Sequence, residues 1–111
     1  MSDFAPLPEP PYFAVIFANQ LSDDHVGYDG MAKKMANLAT QQAGYLGLET
    51  TRNAAGFGIT VSYWADETAL LNWKAEAEHA LAQKYGKERW YQYYTLRVAV
   101  VQRQYNGPEG R

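Results

Sequence analysis

From Tyr12 the chain reads YFAVIFANQ, an unbroken run of apolar and aromatic residues up to Asn19. Such a run, rich in aromatic and β-branched types, predicts a strand buried on both faces. The polar loop LSDDHVGYDG follows, and GMAKKMANLATQQAG then repeats apolar residues at Met31, Met35, Leu38 and Ala39. That spacing predicts a helix, with Gly44 as its C-cap. YLGLETTRN, NAAG and GFGITVSYWA read as strand, turn and strand, a hairpin. Asp66 is a good N-cap for a second helix, whose inner stripe runs Leu70, Trp73, Ala77, Leu81 until Gly86 interrupts it. YYTLRVAVVQRQY is the last strand. Its two alternating sets, Tyr94, Leu96, Val98, Val100 and Tyr93, Thr95, Arg97, Ala99, Val101, both carry apolar side chains.

The order β-α-β-β-α-β predicts an α+β fold of the ferredoxin-like plait type, an antiparallel four-stranded sheet with both helices on one face. The other face is then bare, and a second subunit is expected to cover it, because monomers rarely expose so large an apolar patch. The domain spans residues 12 to 105. Residues 1–11 (MSDFAPLPEPP) hold four of the five prolines and form an extended or disordered arm, since proline lacks the amide a sheet ladder needs. Residues 106–111 are a turn-forming tail.

Composition narrows the function classes. A chain of 111 residues has room for one ordinary core. The absence of cysteine excludes disulfides, thiolate nucleophiles and cysteine-based metal sites, and fits a reducing cytoplasm. A net charge of -2 and a pI near 5.6 give no basic field, so nucleic acid is not an expected partner. No apolar run approaches the roughly 20 residues of a membrane span, and no secretory signal opens the chain. A soluble cytoplasmic protein is expected. Nine Tyr, three Trp and four Phe are many for this length, and such rings line pockets for flat ligands as well as cores. There is no G-x-S-x-G, phosphate loop, G-x-G-x-x-G or H-E-x-x-H motif, and the two histidines, His25 and His79, lie far apart in the chain. Neither a metal nor another cofactor is therefore expected.

The residues VIF in the first strand, QQAGYLGLET, GITVSYWADETALLNWKAEAEH and the closing WYQYYTLRVAVVQRQY together resemble the antibiotic biosynthesis monooxygenase family of dimeric α/β-barrel proteins. The likeness covers residues 12 to 105. It implies a homodimer whose two sheets close into a barrel, with a pocket in each subunit between sheet and helices. It also implies a reaction drawn from cofactor-free oxygenation of polycyclic phenols, quinol oxygenation or haem degradation. The haem-degrading branch uses an Asn on the first strand, a Trp on the second helix and a His further along it. Asn19 and Trp73 match the first two. The third position falls on Gln83, a poor haem ligand, while His79 lies six residues beyond Trp73.

The expected function is a cofactor-independent monooxygenase oxidising a small aromatic substrate (phenol, quinol or anthrone-like) with O₂. The alternatives are a non-catalytic dimer that binds a small ligand, and a haem-degrading enzyme. His79 is the candidate proton acceptor and Asn19 the hydrogen-bond partner for substrate or oxygen. Trp73, Tyr63 and Arg97 are candidate substrate contacts. Six helical residues turn by about 600°, so on a straight helix His79 lies about 120° from Trp73. It is either half exposed beside an acid, or a kink near residues 75 to 78 turns it into the pocket as a base. Arg97 either pairs across the dimer with a residue such as Glu49 or meets a substrate anion. His25 is expected at the surface.

Overall fold

The computed structural model describes the backbone of residues 3–85 and 90–108, and the side chains of residues 3–78 and 90–108. Strand β1 is Tyr12–Leu21, helix α1 Tyr28–Thr40, strands β2 and β3 Tyr45–Arg52 and Phe57–Trp64, helix α2 Glu67–Tyr85, and strand β4 Tyr91–Val101. The sheet is antiparallel throughout, in the order β2-β3-β1-β4. This is the ferredoxin-like plait, with the helices against one face.

Strand alternation fixes which side chains meet. Phe13 opposes Trp64 and Val100, Val15 opposes Ser62 and Val98, and Asn19 opposes Gly58 and Tyr94. The odd-numbered residues of β1 therefore face the helices. The core there is Val15, Ala39, Trp64, Ala69 and Leu70, with Phe13, Tyr45 and Trp73 packed at its margin. Trp64 is fully buried, stacks on Trp73 at 5.7 Å between ring centroids, and places its indole N–H on Ser62 Oγ at 2.9 Å. Its polar atom is thus satisfied inside the core. Trp73, expected in the core itself, is only partly buried.

Local signals explain the element ends. Asp66 Oδ1 accepts the Ala69 N–H at 2.8 Å, the N-cap bond expected of it. Gly44 serves differently from expectation: α1 stops at Thr40 with Gln41 as its C-cap, and Gly44 sits in the turn entering β2 at φ +83°. A Cβ on Gly44 would stand 2.4 Å from that of Ala69, so glycine here permits both the backbone conformation and the close seating of α2.

The proline-rich arm packs on the free face of the sheet. The Ala5 N–H donates to Glu49 Oε2 at 3.1 Å, and Gly47 leaves room for Ala5, whose Cβ would lie 2.6 Å from a Cβ at that site. Tyr12 donates to Gln104, whose amide reaches the Pro8 carbonyl. Gln104 thus links the arm to the buried Tyr12 at the start of β1. Strand β4 is the exception to good cover. On the helix side Tyr94, Leu96, Val98 and Val100 are about half exposed, and on the free face Phe57 and Ile59 are partly bare. No helix among the described residues is long and apolar enough to cross a membrane.

Trp64→Ala should cost about 3 to 5 kcal/mol in a denaturant titration. Gly44→Ala should cost about 1 to 3 kcal/mol through the positive φ alone, with the Ala69 contact adding to it.

Candidate functional site

The sheet end away from Trp64 carries an unusual row. Arg52 on β2, Gly58 on β3, Asn19 on β1 and Tyr94 on β4 stand in register across the four strands, on the helix side. A side chain on Gly58 would strike the Arg52 guanidinium, Cζ lying 2.6 Å from an added Cβ. The glycine lets Arg52 lie flat over the sheet and reach the neighbouring strand but one. Its Nη2 donates to Asn19 Oδ1 at 2.7 Å and to the Tyr28 hydroxyl at 2.8 Å, and its Nη1 donates to the Gly56 carbonyl at 2.6 Å.

Tyr28 opens α1 and roofs this row. The guanidinium carbon lies 5.1 Å from the centre of its ring, a cation–π contact. Behind it, Trp90 and Tyr91 pack edge-on against Tyr28 at 6.1 and 5.6 Å, and Phe17 meets Tyr91 and Tyr94 at 5.3 and 5.7 Å. Backbone and side-chain bonds pin the loop beneath: Trp90 Nε1 donates to the Val26 carbonyl at 2.9 Å, Ser22 N–H to the Trp90 carbonyl at 2.7 Å, and Leu21 N–H to the Gly56 carbonyl at 3.0 Å. Arg52 also walls a cleft of about 440 Å³ that continues along Gln20, Ser22, His25, Asp29 and Gln92. His25 is exposed there, with Nδ1 on the Ser22 carbonyl at 2.7 Å.

Asn19 is 2% exposed, and its Nδ2 has no hydrogen-bond partner among the described residues. An unpaired buried donor costs about 1 to 3 kcal/mol, so such groups mark strain, a missing solvent molecule or a ligand position. The remaining expected site residues are dispersed. Trp73 is on the helix side but stacks on Trp64, the partner of Phe13. Six strand residues, about 20 Å, separate the Phe13 and Asn19 positions. Tyr63 and Arg97 project from the free face, opposite Asn19 and Trp73. The His79 side chain lies outside the described residues, as does that of Gln83. Glu49, expected to pair with Arg97 across a dimer, is held within the chain by the Tyr63 hydroxyl at 2.6 Å and the Ala5 amide. Among the described residues no group of three His, Asp or Glu could hold a metal ion.

Arg52 and Tyr28 were missed in the sequence, where one ends a hairpin strand and the other sits in a loop. The available signal was the alternation itself. A charged residue sharing the apolar face of Leu48, opposite a glycine, announces an arginine that crosses its neighbour.

The uncharacterized protein YqjZ of Bacillus subtilis is 47% identical over 105 residues, covering 94% of this chain and 92% of YqjZ. The chain belongs to the YqjZ family. The jasmonate monooxygenase ABM of Pyricularia oryzae is 37% identical over 46 residues, 41% of this chain, which spans only 21% of that enzyme. The crystal structure of PA3566 from Pseudomonas aeruginosa superposes with a TM-score of 0.58 at 17% identity, over 87% of this chain and 98% of that one, a likeness of fold. No protein-family model matches the chain.

Burial, then the hydrogen bond to Glu49, raises the Tyr63 hydroxyl well above the ordinary tyrosine range. A tyrosine held protonated in this way contributes stability that is full below its unfolded value of about 10 and is lost as pH rises through the folded value. Tyr63→Phe should therefore flatten the fall of stability above about pH 10, read from denaturation midpoints across alkaline pH.

Proposed function

We propose that the chain is a monooxygenase that oxidises a small planar aromatic or enolic substrate with O₂, without a metal or flavin. The observation that carries this reading is the buried Asn19 amide, a hydrogen-bond donor left unpaired among Phe17, Tyr28, Tyr91 and Tyr94. The partial likeness to a jasmonate monooxygenase supports the reaction class.

The chemistry asks little of a protein. An electron-rich anion formed from a phenol, quinol or anthrone can pass one electron to O₂, after which the two radicals combine. For an anthrone-like methylene the sum is CH₂ + O₂ → C=O + H₂O, with the substrate supplying all four electrons. The chain must desolvate the substrate, hold its oxygen and accept a proton. Asn19 is assigned the oxygen and His79 the proton. Trp73, Tyr63 and Arg97 stand apart from Asn19 and are assigned to packing and to the subunit contact. The same separation of Asn19 from Trp73 speaks against the haem-degrading arrangement, which needs the two together. A non-catalytic ligand-binding dimer is the second reading, favoured by the same unpaired amide should no turnover occur.

We also infer a homodimer. The exposed Leu96, Val98 and Val100 lie on an edge strand whose outer ladder is unpaired, a combination that favours cover by another chain.

Oxygen uptake by metal-stripped, haem-free protein against anthrones, quinols and polyphenols is expected to exceed the uncatalysed rate for at least one substrate. It should fall at least about tenfold in Asn19→Ala and His79→Ala, the usual scale for a lost hydrogen-bond or proton-transfer group. Background uptake with retained ligand binding would leave the binding reading. In light scattering the chain should have twice the monomer mass, and Val98→Lys should shift it toward the monomer; monomeric wild type would remove the dimer.

A further inference from the structure

We propose that Arg52 is the positioning residue for Asn19, and that the two together bind the deprotonated oxygen of a planar phenol or enol. This deepens the reading above and rests on it for the reaction, though not for the binding. Three observations carry it.

The amide orientation is fixed. Arg52 is a donor at every nitrogen, so the amide atom 2.7 Å from its Nη2 is the oxygen; the flipped amide would set N–H against N–H. What remains unpaired is therefore the Nδ2 donor, and a donor without a partner selects an acceptor ligand. Arg52 is also held by neutral acceptors. Its three partners are a carbonyl, an amide oxygen and a hydroxyl, and it forms no ion pair among the described residues. Bonding to Oδ1 polarises the amide, which strengthens the Nδ2 donor, and the cation nearby favours the ionised form of the ligand. The surroundings, finally, are flat rings. Tyr94, opposite Asn19 in the register, is 53% exposed, which makes its side of the row the one a planar ligand approaches. Gly58 makes the whole device possible, because any side chain there would displace the guanidinium.

Among the described residues, the other titratable or charged groups around the row are Asp23 and His25 in the β1–α1 loop, Tyr28 and Asp29 on α1, and Tyr91 and Tyr94 on β4. None of these is a second cation hydrogen-bonded to Asn19.

The test uses 4-nitrophenol, whose phenolate is coloured, titrated across neutral pH with the full-length protein in excess. Bound 4-nitrophenol should ionise about one pH unit lower than free. Arg52→Gln should abolish that shift. Asn19→Asp keeps an acceptor for Arg52 but removes the donor, and should abolish phenolate binding. Gly58→Ala retains both Arg52 and Asn19 and only pushes the flexible guanidinium away, so it decides the matter if Arg52→Gln does not fold. It should lose the shift while keeping a native circular dichroism spectrum, its denaturation midpoint lowered only by the loss of the Arg52 bonds. His25→Gln should keep the shift. No binding of 4-nitrophenol, an unshifted ionisation in wild type, or a shift that survives in both Arg52→Gln and Gly58→Ala overturns the proposal. Oxygen uptake is read on the same proteins. A shift without uptake keeps this anion site and removes the monooxygenase reading; uptake without a shift does the reverse.

Discussion

A buried amide in the middle of a sheet has to be paired, and the pairing of Asn19 organises one whole end of this molecule. Its oxygen is taken by Arg52, which can reach it only because Gly58 has no side chain between them. Arg52 in turn ties the hairpin carbonyl of Gly56 to the Tyr28 hydroxyl at the start of α1. Through Gly56 the same junction includes Leu21 at the end of β1. A partly buried guanidinium costs too much desolvation to be tolerated without acceptors. Each acceptor here belongs to a different element, so satisfying the charge also fixes β1, the hairpin and the helix relative to one another.

The two ends of the helix-covered face have different tasks. Around Trp64 the packing is apolar, and its single polar atom finds Ser62. Among the described residues no buried side-chain polar atom is left unpaired there. At the Asn19 end, Phe17, Tyr28, Tyr91 and Tyr94 provide apolar walls around a polar row, and one donor is left over. Stability is concentrated at the first end and chemical potential at the second. The distance between them means that a change in the Trp64 stack should act on the site through overall stability more than through local geometry.

The outer surfaces follow from what the chain can cover. The arm and the C-terminal segment close on Tyr12 and Gly47, shielding the β2 and β1 part of the free face. Neither reaches β4. An edge strand apolar on its helix side, with partly bare residues on the free face of β3, is the part of the fold that an added subunit would complete.

The sequence by itself determined the element order, the α+β class and the capping role of Asp66. Each depends on periodicity or on bonds between residues close in the chain, and these are written directly in the order of amino acids. It also marked Asn19 as the polar residue that ends the apolar run of β1. What only the tertiary structure decided was the company each residue keeps. Asn19 and Trp73 look like one site in sequence, yet register and helix placement set them at opposite ends of the sheet. Gly44 looked like a cap and is a contact surface for Ala69. Arg52 looked like the end of a strand and is the partner of Asn19, 33 residues away in the chain, because strand register, and not local pattern, chooses which side chain crosses a glycine.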